Sequence, residues 1–529
     1  MRTDYKIDFL EKTTSISSSQ NNKRIAKNTL MLYFRQILIL LVSLYTVRVI
    51  LDVLGVEDYG IYNVVAGIVS LFSFLSGAMA SATQRFFSFA IGKNDTEQLK
   101  KIFSVNIFIY IGIALVAILL LETVGLWFMN EKLEVPTDRF DAACFIYNFS
   151  VFTFSATILT SPFMAIIIAH EDMQVYAYVS IIEAVLKLGV VFLLMYVEAD
   201  KLELYGILLF IVSLINAVIY ISISLRKYEE CQFNKFYWDK RLAQEIVEFT
   251  GWTLFGQITT VARNQAVTIL INQVFNPVVV ASRAIALSVS GHIGVFANNF
   301  NTSLYPPIIK SYSSNKKNEM FSLIYNGSKL TFFLIWIIAL PLLLEMEMIL
   351  SIWLKNIPPD VVLFSQLAII EALILALSLP ITTAARAPGK MKTYELTLGI
   401  IQLSIFFVSW VVLKMGYPAY SVFIVAIAVN VVMFFVRLFI VSNLIDLPKS
   451  HFMVKVIFPV LGIILLSAVP SHFLQKILPE SLLYSTIVAM FSMIISAIVM
   501  FYIGLDVHWR NKIQFIIEIK VKKIFKIGE

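Results

Sequence analysis

The chain has 529 residues, of which 59% are hydrophobic and 15% charged, and its mean hydropathy is +0.81. Soluble domains are roughly half apolar and about a quarter charged, so this composition excludes a soluble protein and indicates a membrane protein. The net charge of +7 does not indicate binding to nucleic acid, because the basic residues are spread over loop ends instead of being gathered in one domain.

A polar segment at residues 1–27 opens the chain and is predicted to be a cytoplasmic tail. Apolar windows of about 20 residues, enough to cross roughly 30 Å of hydrocarbon, then recur along the sequence. The first six predicted spans lie near residues 28–50, 60–90, 102–128, 141–169, 175–197 and 203–225. The next six lie near 250–275, 277–309, 321–347, 361–385, 393–413 and 417–442, and the last two lie near 452–469 and 481–505.

This pattern predicts an all-α integral membrane protein with about fourteen transmembrane helices in two pseudo-symmetric six-helix lobes plus two C-terminal helices. An even number of spans per lobe keeps the two repeats in the same orientation, which predicts a substrate site between the lobes. The predicted domains after the tail are an N-lobe at 28–225, a cytoplasmic amphipathic linker at 226–249, a C-lobe at 250–442, two further spans within 443–505 and a basic cytoplasmic tail at 506–529.

The distribution of Lys and Arg supports this span count. Of the 42 basic residues, 28 fall in the predicted cytoplasmic segments and six in the predicted outer segments. Cytoplasmic loops are enriched in Lys and Arg. If one span were miscounted, every later loop would be assigned to the wrong side of the membrane, and loops rich in Lys and Arg would no longer alternate with loops that are poor in them. Both termini are therefore predicted to be cytoplasmic.

Motifs for catalysis and metal binding are absent from the sequence. There is no GxxxxGK[ST] run to hold ATP, and neither HExxH nor CxxC occurs. We therefore expect no enzyme activity, no metal and no cofactor. Transport would then draw its energy from a gradient of protons or sodium ions.

Several basic side chains fall within predicted spans, where an ionisable group is costly unless it lines a polar cavity or finds a partner. Arg263 lies near mid-depth in the seventh span, and with its neighbours Asn264 and Gln265 it is predicted to line a cavity. Structural ion pairing or helix packing is the alternative for this belt. The other candidate cavity arginines are Arg35, Arg283, Arg48 and Arg85. For the shallower Arg35 and Arg283 the alternative is that the side chain extends to the membrane surface, and for Arg48 and Arg85, near span ends, the alternative is topological anchoring.

Acidic and amide side chains in the spans supply the remaining candidates. Glu183 and Lys187 are four residues apart on one helix and are predicted to be a structural ion pair. Glu371 has no basic neighbour one turn away and is the candidate ligand for a coupling ion. A polar run on the eighth span is a candidate for contacting sugar hydroxyls or for hydrogen bonding between helices: His292, Asn298, Asn299 and Asn301.

The excess of arginine over acids in the first, second, seventh and eighth spans indicates an anionic substrate. A guanidinium is a planar fork that matches the oxygens of a phosphate. A cavity for cationic drugs would need the opposite charge.

The N-terminal region resembles bacterial oligosaccharide flippases of the MOP superfamily, of the Wzx type. The resemblance rests on the first span with its Arg35 (NTLMLYFRQILILLVSLYTVRVI), the turn LGVEDYGIYNVV, and the segment SATQRF with its Arg85. It implies a MATE-like fold in which two helical lobes form a V around a cavity. It also implies transport of an undecaprenyl-pyrophosphate-linked oligosaccharide, such as an O-antigen or capsule unit, across the bacterial inner membrane by alternating access.

The resemblance also implies roles for particular residues. Related lipid II flippases use cavity arginines for the pyrophosphate, a role extended here to Arg35, Arg263 and Arg283. Related multidrug exporters carry a membrane acid in the first or tenth span, and here only Glu371 matches. The expected partners are the lipid-linked oligosaccharide, the bilayer and other membrane proteins of polysaccharide assembly, with no nucleic acid, and the protein is expected to be a monomer.

Two rival functions remain open at this point. One is a cation-coupled multidrug exporter of the same fold, in which acids should dominate the cavity. The other is a polymerase or ligase acting on lipid-linked sugars, which needs a large outer loop with catalytic residues. The predicted outer loops are short.

Overall fold

The computed structural model describes the backbone at residues 2–70, 72–132, 136–233, 235–354 and 356–505, together with residues 510, 511 and 514. Side chains are described from residue 23 onward within these ranges, except at residues 44, 56, 70 and 132. Most of the predicted basic tail at 506–529 lies outside the described residues, as do the side chains of most of the predicted N-terminal tail.

The described residues fold into helices joined by short turns. The helices of the first half are α1 (Arg2–Ser70), α2 (Ser73–Lys93), α3 (Thr96–Leu120), α4 (Leu126–Lys132), α5 (Phe140–Ala169), α6 (Met173–Tyr196) and α7 (Lys201–Lys227). Those of the second half are α8 (Lys240–Val274), α9 (Pro277–Ser313), α10 (Lys317–Leu344), α11 (Met346–Trp353), α12 (Val361–Arg386), α13 (Lys392–Lys414), α14 (Ser421–Ile445), α15 (Lys449–Phe452), α16 (Phe458–Ile477) and α17 (Leu482–Val499). Short π-helical segments follow α3, α15 and α17, and a 3-10 turn precedes α5.

The predicted fold class is confirmed. Among the described residues twelve helices are long and apolar enough to cross a membrane, and the bent pair Glu57–Val69 and Ser73–Lys93 forms a thirteenth candidate. Helix α8 has the length of a span but is not among the twelve, because charged residues fill its first turns and the Arg263 belt lowers its hydropathy. Helix α1 is broken at Gly55, whose φ of +78° suits a residue without a side chain.

The first turns of α8 contain the segment that the sequence assigned to an amphipathic linker. Leu242, Ile246 and Phe249 are buried, whereas Arg241 and Glu245 point outward, so the segment has the expected apolar and charged faces. It continues without a break into the seventh span. The charged start and the membrane part of α8 therefore belong to one continuous helix.

The chain divides into two compact units. The first comprises residues 1–258, 302–320 and 386–396, and its core is an aliphatic cluster contributed by α1, α3, α5, α6 and α7. The second comprises residues 259–301, 321–385 and 397–529, and its core is a cluster around Ile271, Phe364 and Phe423. These units divide the chain differently from the predicted lobes, whose boundaries stay a prediction.

Candidate functional site

A small pocket in the second unit holds three buried charged side chains. Arg263 on α8, Arg283 on α9 and Glu371 on α12 line a cavity of about 130 Å³. Their exposed fractions are 8%, 5% and 7%. Charged groups are almost never this buried unless they are paired, so the helices that hold them must supply partners.

The carboxylate of Glu371 is the centre of this pocket. Arg263 Nη1 donates to Glu371 Oε1 over 3.0 Å, and Asn430 Nδ2 on α14 donates to the same oxygen, also over 3.0 Å. Arg283 does not bond to the carboxylate and instead donates from Nη1 to Thr268 Oγ1 over 2.6 Å. Two guanidinium groups thus share a pocket with one carboxylate, which leaves an excess of one positive charge.

Two buried polar atoms of the hydrogen-bonded group Arg263, Glu371 and Asn430 have no hydrogen-bond partner among the described residues. They are Nε of Arg263 and Oδ1 of Asn430. A buried donor without a partner costs about 1–3 kcal/mol, which a ligand or water with suitable acceptors would recover. Arg263 therefore retains a donor for an additional acceptor beside its bond to Glu371.

The sequence located the residues of this pocket but not their pairing. Asn264 lines the cavity beside Arg263, whereas Gln265 is not among its lining residues. Glu371 was singled out because its own helix offers no basic neighbour, and the structure supplies Arg263 from another helix, 108 residues away. Asn430 had no sequence signal beyond being an amide in an apolar span.

The remaining candidate arginines lie in the first unit and make other contacts. Arg35 lies over the ring of Tyr176, with Cζ 4.6 Å from the centroid, and Nη1 approaches Ser180 Oγ at 3.5 Å. Arg48 is exposed. Arg85 is buried, packs on Phe86 and donates from Nη2 to the backbone oxygen of Ala387 over 3.0 Å.

The candidate sugar contacts on α9 line neither the Glu371 pocket nor the larger cavity of the first unit that is described next. Asn301 Oδ1 accepts a hydrogen bond from Thr383 Oγ1 at 3.2 Å, which is an interhelical contact. Asn299 is buried, and His292 and Asn298 are exposed. Their role in binding sugar stays a prediction.

A second, larger cavity lies in the first unit, with a volume of about 390 Å³. Its wall is mainly hydroxyl-bearing and includes Glu183 and Lys187. Lys187 Nζ donates to Glu183 Oε1 over 2.7 Å, and Asn216 Nδ2 donates to Glu183 Oε2 over 3.1 Å. The sequence did not indicate this cavity, because its hydroxyl groups come from five helices and are scattered along the chain.

A cluster of ion pairs surrounds the turn between α5 and α6. Glu171, which is 5% exposed, contacts Arg24 Nε and Lys310 Nζ, each at 2.8 Å. Next to it, His170 Nε2 lies 2.6 Å from Glu230 Oε1. Burial opposes ionisation of Glu230, but its hydrogen bonds to His170 and to the backbone outweigh burial and lower its pKa. The turn thus joins α1, α9 and the segment after α7.

The fold and the buried charged pocket define a multi-pass membrane transporter. The chain belongs to the polysaccharide biosynthesis protein family, whose model matches residues 25–312, more than half of the sequence. This places it with the Wzx-type proteins of the MOP superfamily, as the resemblance in the first spans indicated. Comparison with curated proteins gave no match.

Solved structures with the same fold are MATE transporters. One, described as the outward-facing conformation of a multidrug resistance MATE family transporter of the MOP superfamily, has a TM-score of 0.69 and 12% identity, covering 80% of this chain and 96% of that chain. A MATE in the straight conformation has a TM-score of 0.70 and 12% identity, with the same coverages. The MATE transporter ClbM in complex with Rb⁺ has a TM-score of 0.64 and 13% identity, covering 81% and 97%. At this identity the likeness shows the fold alone.

Proposed function

We propose that this protein is a flippase that moves an undecaprenyl-pyrophosphate-linked oligosaccharide across the bacterial inner membrane by alternating access. The cargo is a repeat unit of a surface polysaccharide. Its polar head passes through the protein while the lipid tail stays in the bilayer. Both termini lie in the cytoplasm, and the protein works as a monomer beside other membrane proteins of polysaccharide assembly.

The observation that carries the proposal is the charge of the pocket around Glu371. With the carboxylate ionised, Arg263 and Arg283 leave one positive charge in a buried site. Such a site attracts a phosphate group and repels a cationic drug. The family match adds independent support, because polysaccharide biosynthesis requires export of a lipid-linked precursor.

The geometry suggests how binding and the coupling ion are connected. A pyrophosphate oxygen that reaches Arg263 competes with Glu371 for the same guanidinium. A carboxylate without its guanidinium partner is costly in a buried, low-dielectric pocket, so a coupling cation that neutralises Glu371 favours the displaced state. Substrate entry and uptake of this cation then occur together, and release of the substrate restores the Arg263–Glu371 pair.

The decisive experiment is deletion of the gene in its own host, followed by analysis of lipid extracts. We expect loss of the surface polysaccharide and accumulation of its undecaprenyl-pyrophosphate-linked repeat unit, both reversed by the wild-type gene. Unchanged surface polysaccharide, together with increased sensitivity to cationic drugs, would instead identify a multidrug exporter. Accumulation of a completed but unpolymerised unit on the outer leaflet would identify a polymerase.

A further inference from the structure

The 390 Å³ cavity of the first unit has a wall of unusual composition for a membrane protein. Fifteen of the eighteen lining residues carry a polar group, and only Met164, Leu209 and Val212 do not. The volume lies within the range of roughly 300–1,000 Å³ that is typical of small-ligand sites. The polar groups of this wall are costly in a membrane bundle unless a polar ligand or water satisfies them.

Five of the twelve hydroxyl groups of this wall donate to the backbone and so offer only acceptors to the cavity. Thr157, Thr160, Ser161 and Ser180 each donate to the carbonyl four residues earlier, and Ser213 donates to the carbonyl of Phe210. A hydroxyl that has given its hydrogen to the backbone keeps only its oxygen lone pairs for a ligand. The wall therefore suits a ligand that is rich in O–H or N–H donors.

Asn216 provides a fixed acceptor within the same wall. Because Glu183 can only accept, the Asn216 Nδ2 must face it, at 3.1 Å, and Oδ1 is directed elsewhere. That Oδ1 is buried and has no hydrogen-bond partner among the described residues. A ligand donor at this position would satisfy it.

The charges around the cavity select between possible ligands. Among the lining residues Glu183 and Lys187 neutralise each other, and Arg35 contacts the wall at Tyr176 and Ser180. The sum is one positive charge, which disfavours a cation. The five hydroxyl oxygens whose hydrogens are used by the backbone disfavour an anion at their positions, and a neutral polyol is the ligand class that fits both observations.

Aromatic side chains complete this match. Tyr62, Tyr176, Tyr205 and Tyr220 all line the cavity, and the rings of Tyr62 and Tyr205 meet edge to face with centroids 4.9 Å apart. Tyrosine combines an apolar ring for the C–H face of a sugar with a hydroxyl for its rim. We propose that this cavity binds neutral sugar residues of the transported glycan, through Asn216, the hydroxyl wall and the tyrosines. The assignment of these sugars to the cargo rests on the proposed function.

The test is a binding measurement with two probes on the full-length protein in lipid nanodiscs. The first probe is the lipid-free oligosaccharide released by mild acid from the intermediate that accumulates in the deletion strain. The second is geranyl pyrophosphate, which has the phosphates but no sugar. We expect Asn216→Leu to raise the Kd for the oligosaccharide about tenfold, as the loss of one buried hydrogen bond does, without changing that for geranyl pyrophosphate.

Two further variants test whether an effect of Asn216→Leu comes from the cavity itself. Thr157→Phe adds bulk at an exposed position of the wall and should block the oligosaccharide by volume alone. Asn148→Leu makes the same chemical change at a half-buried asparagine of α5 that lies outside the cavity, and it should bind both probes normally.

The outcomes separate this proposal from the flippase function. If the oligosaccharide binds equally well to wild type, Asn216→Leu and Thr157→Phe, or does not bind to wild type, the sugar site is wrong. The flippase function would still stand on the accumulated intermediate and on pyrophosphate binding. Displacement of the oligosaccharide by an aromatic cation such as ethidium, with tighter binding of the cation, would also overturn the sugar site.

Discussion

Arg263 Nη1 lies 3.0 Å from Glu371 Oε1, although 108 residues separate the two in the chain. Asn430 holds the same carboxylate oxygen, while Arg283 stays in the pocket without bonding to it. Arg263 and Glu371 thus form a neutral ion pair, and the positive charge of Arg283 beside them is uncompensated. This arrangement makes the substitutions of Arg263 and Glu371 differ in their expected results.

Replacement of Arg263 should remove transport. Arg263→Ala eliminates the guanidinium and leaves Glu371 buried without its partner, which costs about 3–5 kcal/mol when such a pair is broken. Arg263→Lys keeps the charge but not the planar fork, so we expect partial glycan export. Export is measured by complementation of the deletion strain, with membrane insertion checked by immunoblot. The control is Arg226→Ala, at an exposed position of α7. Full glycan export by Arg263→Ala would show that Arg263 is not part of the substrate site.

Replacement of Glu371 should strengthen the binding of a pyrophosphate. Glu371→Gln keeps the shape of the side chain but no longer competes for Arg263, and the pocket gains a second uncompensated positive charge. We expect geranyl pyrophosphate to bind about tenfold more tightly, since each 1.4 kcal/mol is a factor of ten. Transport should become slower, because the ion pair between Arg263 and residue 371 can no longer re-form when the substrate leaves.

The control for Glu371 is Glu347→Gln, on an exposed part of α11. Its affinity for geranyl pyrophosphate and its transport rate should match wild type. Weaker pyrophosphate binding by Glu371→Gln would contradict the competition between carboxylate and phosphate.

The sequence predicted the helices better than the contacts between them. Apolar windows locate spans because the bilayer imposes length and hydropathy on each segment separately. Arg263 was conspicuous for the same reason, since a mid-span cation is rare. Its pairing with Glu371 depends on how α8 packs beside α12, and nothing local in either segment encodes that packing.

The same limit applies to the cavity of the first unit and to the turn at Glu171. Asn216 is one amide in an apolar helix, and only its approach to Glu183 shows which way the amide faces. The turn between α5 and α6 contains no Lys or Arg of its own. The side chain of Glu171 instead contacts Arg24 and Lys310, which lie far from it in the sequence.

The ion pair between Glu171 and Lys310 is predicted to hold one state of the transport cycle. It joins the turn after α5 to the end of α9, and both ends carry predicted cytoplasmic connections. Glu171 lies in the predicted N-lobe and Lys310 in the predicted C-lobe, so alternating access between these predicted lobes would break the contact when the cytoplasmic side opens. Lys310→Met should therefore shift the population about tenfold or more toward the cytoplasm-open state, because breaking a buried pair costs several kcal/mol.

Labelling of single cysteines near the cytoplasmic ends of the helices measures this shift, with faster labelling expected in Lys310→Met. The matched control is Lys316→Met, which removes a more exposed pair with Glu319 at 3.8 Å. Exposed pairs contribute about 0–1 kcal/mol, so this variant should label like wild type. Equal labelling of Lys310→Met and wild type would show that the pair does not hold the closed state.

The ion-pair network at Arg139 makes stability depend on pH. Arg139 Nη1 contacts Asp200 Oδ2 at 2.5 Å, and its Nε and Nη2 donate to the two oxygens of Asp58 over 2.9 and 2.6 Å. The hydrogen bond from Arg139 lowers the pKa of Asp200 below its ordinary value. A carboxyl with a lowered folded-state pKa stabilises the fold above its unfolded pKa, about 3.9, and loses that contribution as the pH falls through the folded value.

Asp200→Asn tests this dependence, because asparagine keeps the cap of α7 at Leu202 and Glu203 while losing the charge. For this partly exposed pair we expect a destabilisation of up to about 1 kcal/mol at pH 7, shrinking toward zero below about pH 4. Thermal unfolding in detergent at several pH values measures it. Asp95→Asn makes the same change at the cap of α3, where the described contacts include no ion pair, and measures the effect of altering a cap alone. A difference for Asp200→Asn that stays constant from pH 7 to pH 3 would exclude the charge of Asp200 as its cause.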